Sequence, residues 1–534
     1  MFVLYIQGVK FLYLNRRTMK KHWFIIAALC CNMAVVGQVI PTPTIIQKQK
    51  TELSCPLKQL KTVYLETQNS VVHDILWNEF FQDVTLTTVF KGQEHNADIS
   101  FIRDASIVSE GYSLVVSPEN ISVKASDDSG FLYAVQTLRQ LVRDSSAKTK
   151  SLPCVSIEDA PRKSYRSLML DSGRQYQRVE TLKKYLDLLC MLKMNYFHWH
   201  LTEGLGWRIQ IKQYPLLTSV GAYVGSGKEQ HGFYTQEEVK ELVQYAAERG
   251  ITIIPEIDIP GHSSAALTAY PSLCCFNEPI RIPTRGFTEQ IFCAGKDATL
   301  NFLKNVLDEV CEIFPSEYIH IGGDEAPKGN WNKCSDCQKR IQDLHLKNAH
   351  ELQLWLTSEI ATYLKGKGRK AICWGDVVYH RGYDLPDNIV VQWWNWRGHK
   401  DLAVKEAKRR GLKVICSSNY YTYLNFPLKP WKGYAKGRTF DLYDAYTANP
   451  SYEKLDDESV LGMGAALWTD DELVESMLDE RLFPRIFALA EQMWHKGDLL
   501  PFEDFYHLIQ EKEDWFWKKG YYYGPAFKDN RQFK

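Results

Sequence analysis

The sequence predicts an α/β protein: a (β/α)8 barrel of the TIM type preceded by a small α+β domain. Three observations predict it. From Ser164 onward, short apolar runs of strand length alternate with helix-like stretches, about eight times over roughly 370 residues. Nearly every apolar run ends on a polar or aromatic residue, as a barrel with its site at the C-terminal strand ends requires. Ahead of Ser164 the order changes to several strands followed by a helix, which suits a small α+β unit. The expected divisions are 1–37, 38–160 and 161–534.

Residues 1–18 read as upstream sequence, with Met19 as a candidate start. Met19-Lys20-Lys21-His22 supplies a basic cluster, 23–36 is an apolar stretch of secretory length, and Val35-Val36-Gly37 ends it on a small residue. The stretch is short for a spanning helix. Cys30 follows Leu29 rather than a small residue, against a lipoprotein site. Cleavage near Gly37 and export as a soluble protein are expected, with periplasm, cell surface and medium left open.

In the first domain, 62–65 and 99–102 read as short strands. Residues 112–116 alternate, turn through Pro118-Glu119-Asn120 and pair with 121–124. Residues 130–142 place Leu132, Val135, Leu138 and Leu141 near helical spacing. The barrel strands are expected at 167–170, 196–200, 252–257, 318–321, 371–374, 389–393, 413–416 and 465–468. Helices are expected at 179–193, 235–249, 299–313 and 349–365. The chain ends soon after the eighth unit, so no further C-terminal module is expected.

Composition excludes little and suggests something. The 64 basic residues balance 64 acidic ones, so charge implies no nucleic-acid partner. Fifteen Trp, 29 Tyr and 24 Phe suit the packing of sugar C–H faces on rings, although large cores use aromatics too. Of 13 cysteines, 11 follow Gly37, an odd number that leaves at least one thiol unpaired. Cys334-x-x-Cys337 resembles half a zinc site, but no second pair stands at suitable spacing, and a local disulfide or none is expected. Cys274 or Cys275 with Cys293 would close a loop of about twenty residues.

The chemistry centres on Tyr318-Ile319-His320-Ile321-Gly322-Gly323-Asp324-Glu325. An apolar strand runs into two glycines, the backbone turns, and a carboxylate pair follows at the mouth of the sheet. Two adjacent acids can be driven apart in pKa, one ionised and one protonated, which suits acid-catalysed cleavage of a C–O bond. His-x-Gly-Gly-Asp-Glu resembles the signature of the family 20 glycoside hydrolases, the β-N-acetylhexosaminidases. The resemblance runs from about Tyr112 to the C-terminus, 111–142 resembling the family's accessory domain.

The resemblance implies roles for the companion motifs. Arg166, opening the first strand, would hold sugar hydroxyls O3 and O4 with its fork of donors; an ion pair with Asp171 is the structural alternative. In His198-Trp199-His200-Leu201-Thr202-Glu203-Gly204, two His at i, i+2 share a strand face and could bind metal, but the family needs none. Members usually carry Asp-Asp where this chain has Glu203-Gly204. His262, after Pro260-Gly261, would support Glu325 through a hydrogen-bond relay. Trp374, Trp393 and Trp468 would box the N-acetyl methyl group. Tyr423 would hold the acetamido carbonyl, with Tyr421 as the rival. Asn425 stands where the family has Asp. Asp470 stands in place of Glu as the ligand of O4 and O6, with Asp471 as a substitute.

Family 20 is among the substrate-assisted glycosidases. The resemblance therefore implies an exo-acting, retaining enzyme that takes terminal β-linked GlcNAc or GalNAc from glycans. Glu325 would be the general acid/base and Asp324 the partner of the acetamido N–H. No cofactor or metal is implied, and assembly as a homodimer is left open. Two alternatives remain at this point: a catalytically impaired glycan-binding barrel, and an enzyme shifted to disaccharide-releasing or sulfated-sugar specificity. Gly204, Asn425 and Asp470 are the departures that support either.

Overall fold

The computed structural model describes residues 39–48, 53–82, 84–144, 150–227, 230–283, 288–428, 439–470 and 473–528, with the backbone of a short hairpin, Val3–Ile6 and Val9–Leu12. The expected leader, with Cys30, and Asp471 lie outside the described residues. The chain forms two compact units, Met1–Ala160 and Pro161–Lys534.

The first unit is built on a seven-stranded mixed sheet. Its centre is the expected hairpin, Tyr112–Val116 antiparallel to Ile121–Ala125. Alternate residues of both strands are buried, so the period-2 pattern sets which face is covered. The covering helix is Asp128–Leu141. Asp127 caps it, accepting the Gly130 N–H at 2.8 Å, and Phe131, Leu132, Val135 and Leu138 are fully buried. The sheet also takes in Thr62–Leu65 and Ile99–Arg103, close to where the sequence places them.

The second unit is a closed barrel of eight parallel strands. These are β1 Tyr165–Asp171, β2 Tyr196–His200, β3 Thr252–Glu256, β4 Tyr318–His320, β5 Lys370–Trp374, β6 Ile389–Trp393, β7 Lys413–Cys416 and β8 Val460–Leu467. Each pairs with the next, and β8 closes on β1. The expected helices form at Val179–Met191, Gln236–Glu248, Asp297–Ile313 and Ala349–Gly366.

The barrel interior is layered. Tyr165, Ile254, Tyr318, Ile372, Val390 and Ile415 make an apolar floor, with Tyr196 packed against it. Register then fixes every other inward position, because residues opposite one another share a face. Ser167, Met169 and Asp171 follow Tyr165 inward, and His198 and His200 follow Tyr196. On β8, Gly462 lies opposite Tyr165 and Gly464 opposite Ser167. A Cβ on Gly462 would come within 1.8 Å of the Tyr165 carbonyl oxygen, so this strand needs glycine there. That is why β8 starts earlier than the expected 465–468: its glycines mimic breakers in the sequence but make room for the barrel wall.

Candidate active site

Above the apolar floor sits a carboxylate with no exposure at all. Glu256 ends β3 and accepts hydrogen bonds from His198 Nε2 (2.9 Å), His200 Nδ1 (2.6 Å) and Trp374 Nε1 (2.8 Å). Burial opposes its charge, but the surrounding His200, His320 and His198 imidazoles outweigh that and hold it well below the usual carboxylate range. Burial, with His320 alongside, pushes His198 down to about 4. The two histidines that share a face on β2 are thus committed to one buried acid. Their job is to fix Trp374, whose ring lies 5.7 Å from that of Trp468.

At the end of β4 the chain turns through Gly322 (φ 64°) and Gly323 (φ 105°). A side chain on Gly322 would meet the Asp258 carboxylate within 1.7 Å, and that same carboxylate accepts the Gly323 N–H at 3.2 Å. The turn delivers Asp324 and Glu325 to the mouth of the barrel. Their environments differ. The Asp324 side chain is 14% exposed and that of Glu325 is 41%. Burial, then the Asp258 carboxylate, raise Asp324 well above the ordinary carboxylate range. Its Oδ1 is buried with no hydrogen-bond partner among the described residues.

His262 faces both acids, with Nε2 at 3.5 Å from Asp324 Oδ2 and 3.7 Å from Glu325 Oε2. Its Nδ1 is 2.5 Å from Glu203 Oε1, and Glu203 in turn pairs with Arg174 at 2.6 Å. Burial works against a charged imidazole here, but the Glu203 and Asp324 carboxylates outweigh it and raise His262 well above its usual value. Glu203 is lowered in turn, since Arg174 and His262 overcome the cost of its burial. Both His262 (φ 50°) and Glu325 (φ 43°) occupy the left-handed backbone region, which costs side-chain-bearing residues of order 1–3 kcal/mol.

The structure brings together Asp324, Glu325, His262, Glu203, Trp374, Trp468, Tyr423, Asn425 and Asp470. Tyr423 packs its ring 6.0 Å from Trp468, whereas Tyr421 packs on Tyr420 and Phe440. Asn425 Nδ2 donates to Asp470 Oδ1 at 2.9 Å. Glu203 and His262 stand behind the acid pair, 3% and 5% exposed, as supports rather than as a sugar-facing surface. Gly204 packs on Pro283: an added Cβ would lie 2.8 Å from its Cγ, so the loop leaves no room there for a second carboxylate.

Two expected site residues are elsewhere. Arg166 has the outward parity of β1, since Tyr165 and Ser167 on either side face the interior. Its guanidinium donates to the carbonyls of Lys193 (2.8 Å) and Lys163 (2.7 Å) at the start of the strand, whereas Asp171 ends the strand on the inward face and pairs with Arg174. Arg174, just past the strand's end, takes the place at the site. It is clamped by Asp171 (2.8 Å) and Glu203 and lies over the Trp468 ring at 5.1 Å. Trp393 likewise points out of the barrel, its Nε1 bonded to the Lys400 carbonyl at 2.7 Å. Its neighbour Trp394 turns inward, stacks 6.4 Å from Tyr423 and donates to Asp376 at 2.7 Å. Strand parity was the signal for both. Asp376, raised by burial and bonded to Trp394, and Asp258 are further site acids that no local motif singles out.

The known proteins this chain is similar to agree with the geometry. Residues 164–497 match the model of "Glycosyl hydrolase family 20, catalytic domain", and residues 37–160 match "domain 2" of the same family. The chain is 38% identical to a beta-hexosaminidase of Porphyromonas gingivalis over 74% of its own length and 52% of that enzyme's. To a Vibrio furnissii beta-hexosaminidase it is 35% identical, over 76% of this chain and 69% of that one. The match therefore spans about half of the P. gingivalis enzyme. The crystal structure of a beta-N-acetylhexosaminidase from Bacteroides fragilis superposes with a TM-score of 0.86 at 54% identity, covering 93% of this chain and 99% of that one. A Vibrio harveyi exo beta-N-acetylglucosaminidase in complex with N-acetylglucosamine superposes with a TM-score of 0.82 at 29% identity, over 92% and 79%. A barrel mouth with paired acids, a His–Glu support and an aromatic wall, in a chain so matched over both units, leaves one conclusion: this protein belongs to glycosyl hydrolase family 20 and carries that family's catalytic domain.

Proposed function

We propose that the protein is an exo-acting, retaining β-N-acetylhexosaminidase that releases terminal β-linked GlcNAc or GalNAc from glycans by substrate-assisted catalysis. The observation that carries this reading is the unequal pair at the end of β4. Glu325 is the exposed member, free to reach a glycosidic oxygen, while Asp324 Oδ1 is buried and has no hydrogen-bond donor among the described residues. An acetamide N–H would supply that donor.

Glu325 protonates the departing oxygen as general acid and then deprotonates water. The 2-acetamido oxygen attacks C1 and forms an oxazolinium intermediate, so the anomeric configuration is kept. Asp324 accepts the acetamide N–H and offsets the positive charge that develops on the ring. In the free site burial and Asp258 favour the protonated form of Asp324. Both the N–H donor and the developing cation favour its carboxylate, so substrate binding and loss of that proton are coupled. Trp374, Trp394, Trp468 and Tyr423 form the wall against which the acetamide is held. Holding it beside C1 supplies the largest gain, because an intramolecular nucleophile has a high effective molarity. Arg174 and Asp470 are placed for the sugar hydroxyls, beside the Trp468 ring.

The intact acid pair with its relay favours an enzyme over a glycan-binding barrel, since binding alone has no use for a proton donor. Export to the periplasm, cell surface or medium is likewise our reading, resting on the basic and apolar run at 19–37. Among the described residues no helix is long and apolar enough to cross a membrane. A panel of p-nitrophenyl β-glycosides with and without the N-acetyl group tests the reading. Turnover confined to the N-acetylated sugars is expected, with inhibition by an N-acetylglucosamine thiazoline. Equal turnover of β-glucoside and β-GlcNAc would refute it.

A further inference from the structure

The long connection from β3 to β4 and the loop after β4 meet at four sulfurs. Cys275 and Cys293 come from the first segment, Cys334 and Cys337 from the second. The Cys293 sulfur is 3.5 Å from that of Cys337 and 3.8 Å from that of Cys334, and Cys275 and Cys337 are 3.8 Å apart. All four sulfurs lie within 4.8 Å of one another, and Cys293, Cys334 and Cys337 are buried. These separations far exceed a disulfide bond of about 2.05 Å. They match a tetrahedron of sulfurs around one ion: with metal–sulfur distances of about 2.3 Å, its edges are about 3.8 Å.

We propose that Cys275, Cys293, Cys334 and Cys337 form a structural tetrathiolate site for zinc, which ties the β3–β4 connection to the loop that carries Glu325. The sequence concealed it because only one half has the Cys-x-x-Cys spacing. The other two ligands are far apart in the chain, and neither of the expected disulfides forms.

The surroundings fit a centre that would carry two net negative charges. Cys334 stands at the N-cap position of the helix Ser335–Asp343 and Cys337 lies in its first turn, where the helix dipole favours thiolates. Two cations hold the adjoining backbone: Lys296 Nζ donates to the Cys274 carbonyl at 2.6 Å, and Arg340 to the Gly295 carbonyl at 3.0 Å. The loops meet closely there, since a Cβ on Gly295 would lie 2.2 Å from the backbone of Asp336. Trp331, fully buried, joins the same loops by donating to the Phe292 carbonyl at 3.0 Å. Four soft ligands, three of them buried, leave no open position, which is the pattern of a structural site.

The test is metal content of the full chain, purified without metal-chelate chromatography and dialysed against EDTA to strip surface ions. About one zinc per chain is expected, released by an organomercurial thiol reagent and detected with 4-(2-pyridylazo)resorcinol. The stoichiometry should fall at least about tenfold in Cys334→Ser/Cys337→Ser and stay unchanged in Cys190→Ser. If the double variant does not fold, X-ray absorption of the wild type decides, with a four-sulfur shell at about 2.3 Å expected. Zinc below about a tenth of an equivalent, or these cysteines recovered as disulfide-linked peptides, would overturn the proposal. Either outcome leaves the hydrolase reading untouched, because no catalytic step uses the ion.

Discussion

Glu203 Oε1 lies 2.5 Å from His262 Nδ1, and this pairing aims the opposite edge of the imidazole at Asp324 and Glu325. Both partners are nearly fully buried. The pair is not isolated: Arg174 holds the same Glu203 oxygen at 2.6 Å, so the support runs from a guanidinium through a carboxylate and an imidazole to the acid. Removing one member leaves a buried charge uncompensated.

Glu203→Gln is therefore expected to cost about 3–5 kcal/mol of stability near neutral pH. Arg174 and His262 lower the Glu203 pKa in the fold, so its contribution is full above the ordinary carboxylate range and is lost as pH falls. The Tm gap between wild type and Glu203→Gln should shrink on acidification. A gap that widens would show the pairing has the wrong sign.

Arg174 and Arg166 should separate cleanly in kinetics. Arg174→Lys keeps the charge and loses the fork, and a rise in KM with a fall in kcat/KM of about 10–100-fold is expected. Arg166→Lys should lower Tm and leave kcat/KM within about threefold, because its guanidinium donates to backbone carbonyls at the start of the strand and lies over Trp494, on the outward side of β1.

The same contrast applies to adjacent tryptophans. Trp394→Ala removes an inward ring that stacks near Tyr423 and donates to Asp376, and should lower kcat/KM by about 10²-fold on N-acetylated substrates. Trp393→Phe loses an outward hydrogen bond to the Lys400 carbonyl and part of a buried ring packed near Trp396, and should register in thermal denaturation, not in steady-state kinetics.

Asp324 is expected to set the acid limb of the pH profile. Its raised pKa means that it protonates, and loses its ability to accept the acetamide N–H, at pH values above the usual carboxylate range near about 4. kcat/KM should fall as pH drops through that raised value. Asp324→Asn is expected to lower kcat by about 10²–10³-fold and to move the acid limb. An unmoved limb would assign it to Asp258 or Asp376, the other raised acids.

Glu325→Gln should cut turnover of chitobiose by about 10²–10⁴-fold, with a smaller loss on aryl glycosides whose leaving group needs little protonation. Equal losses on both substrates would argue against proton donation by Glu325.

The sequence by itself determined the strand–helix alternation, the hairpin of the first domain and the acid pair at a strand end. Each is a local pattern: a period of 2 or 3.6, a glycine turn, a run of apolar residues. It did not determine which way a side chain faces. A strand alternates faces at every residue, so reading Arg166 and Trp393 as outward required the register of all eight strands, and that register is set by packing around Tyr165, Tyr318 and their neighbours. Nor could it show Glu203 behind His262, Glu256 receiving three donors, or four thiols converging from two loops. Those depend on distances between residues remote in the chain, which only closure of the barrel brings within reach.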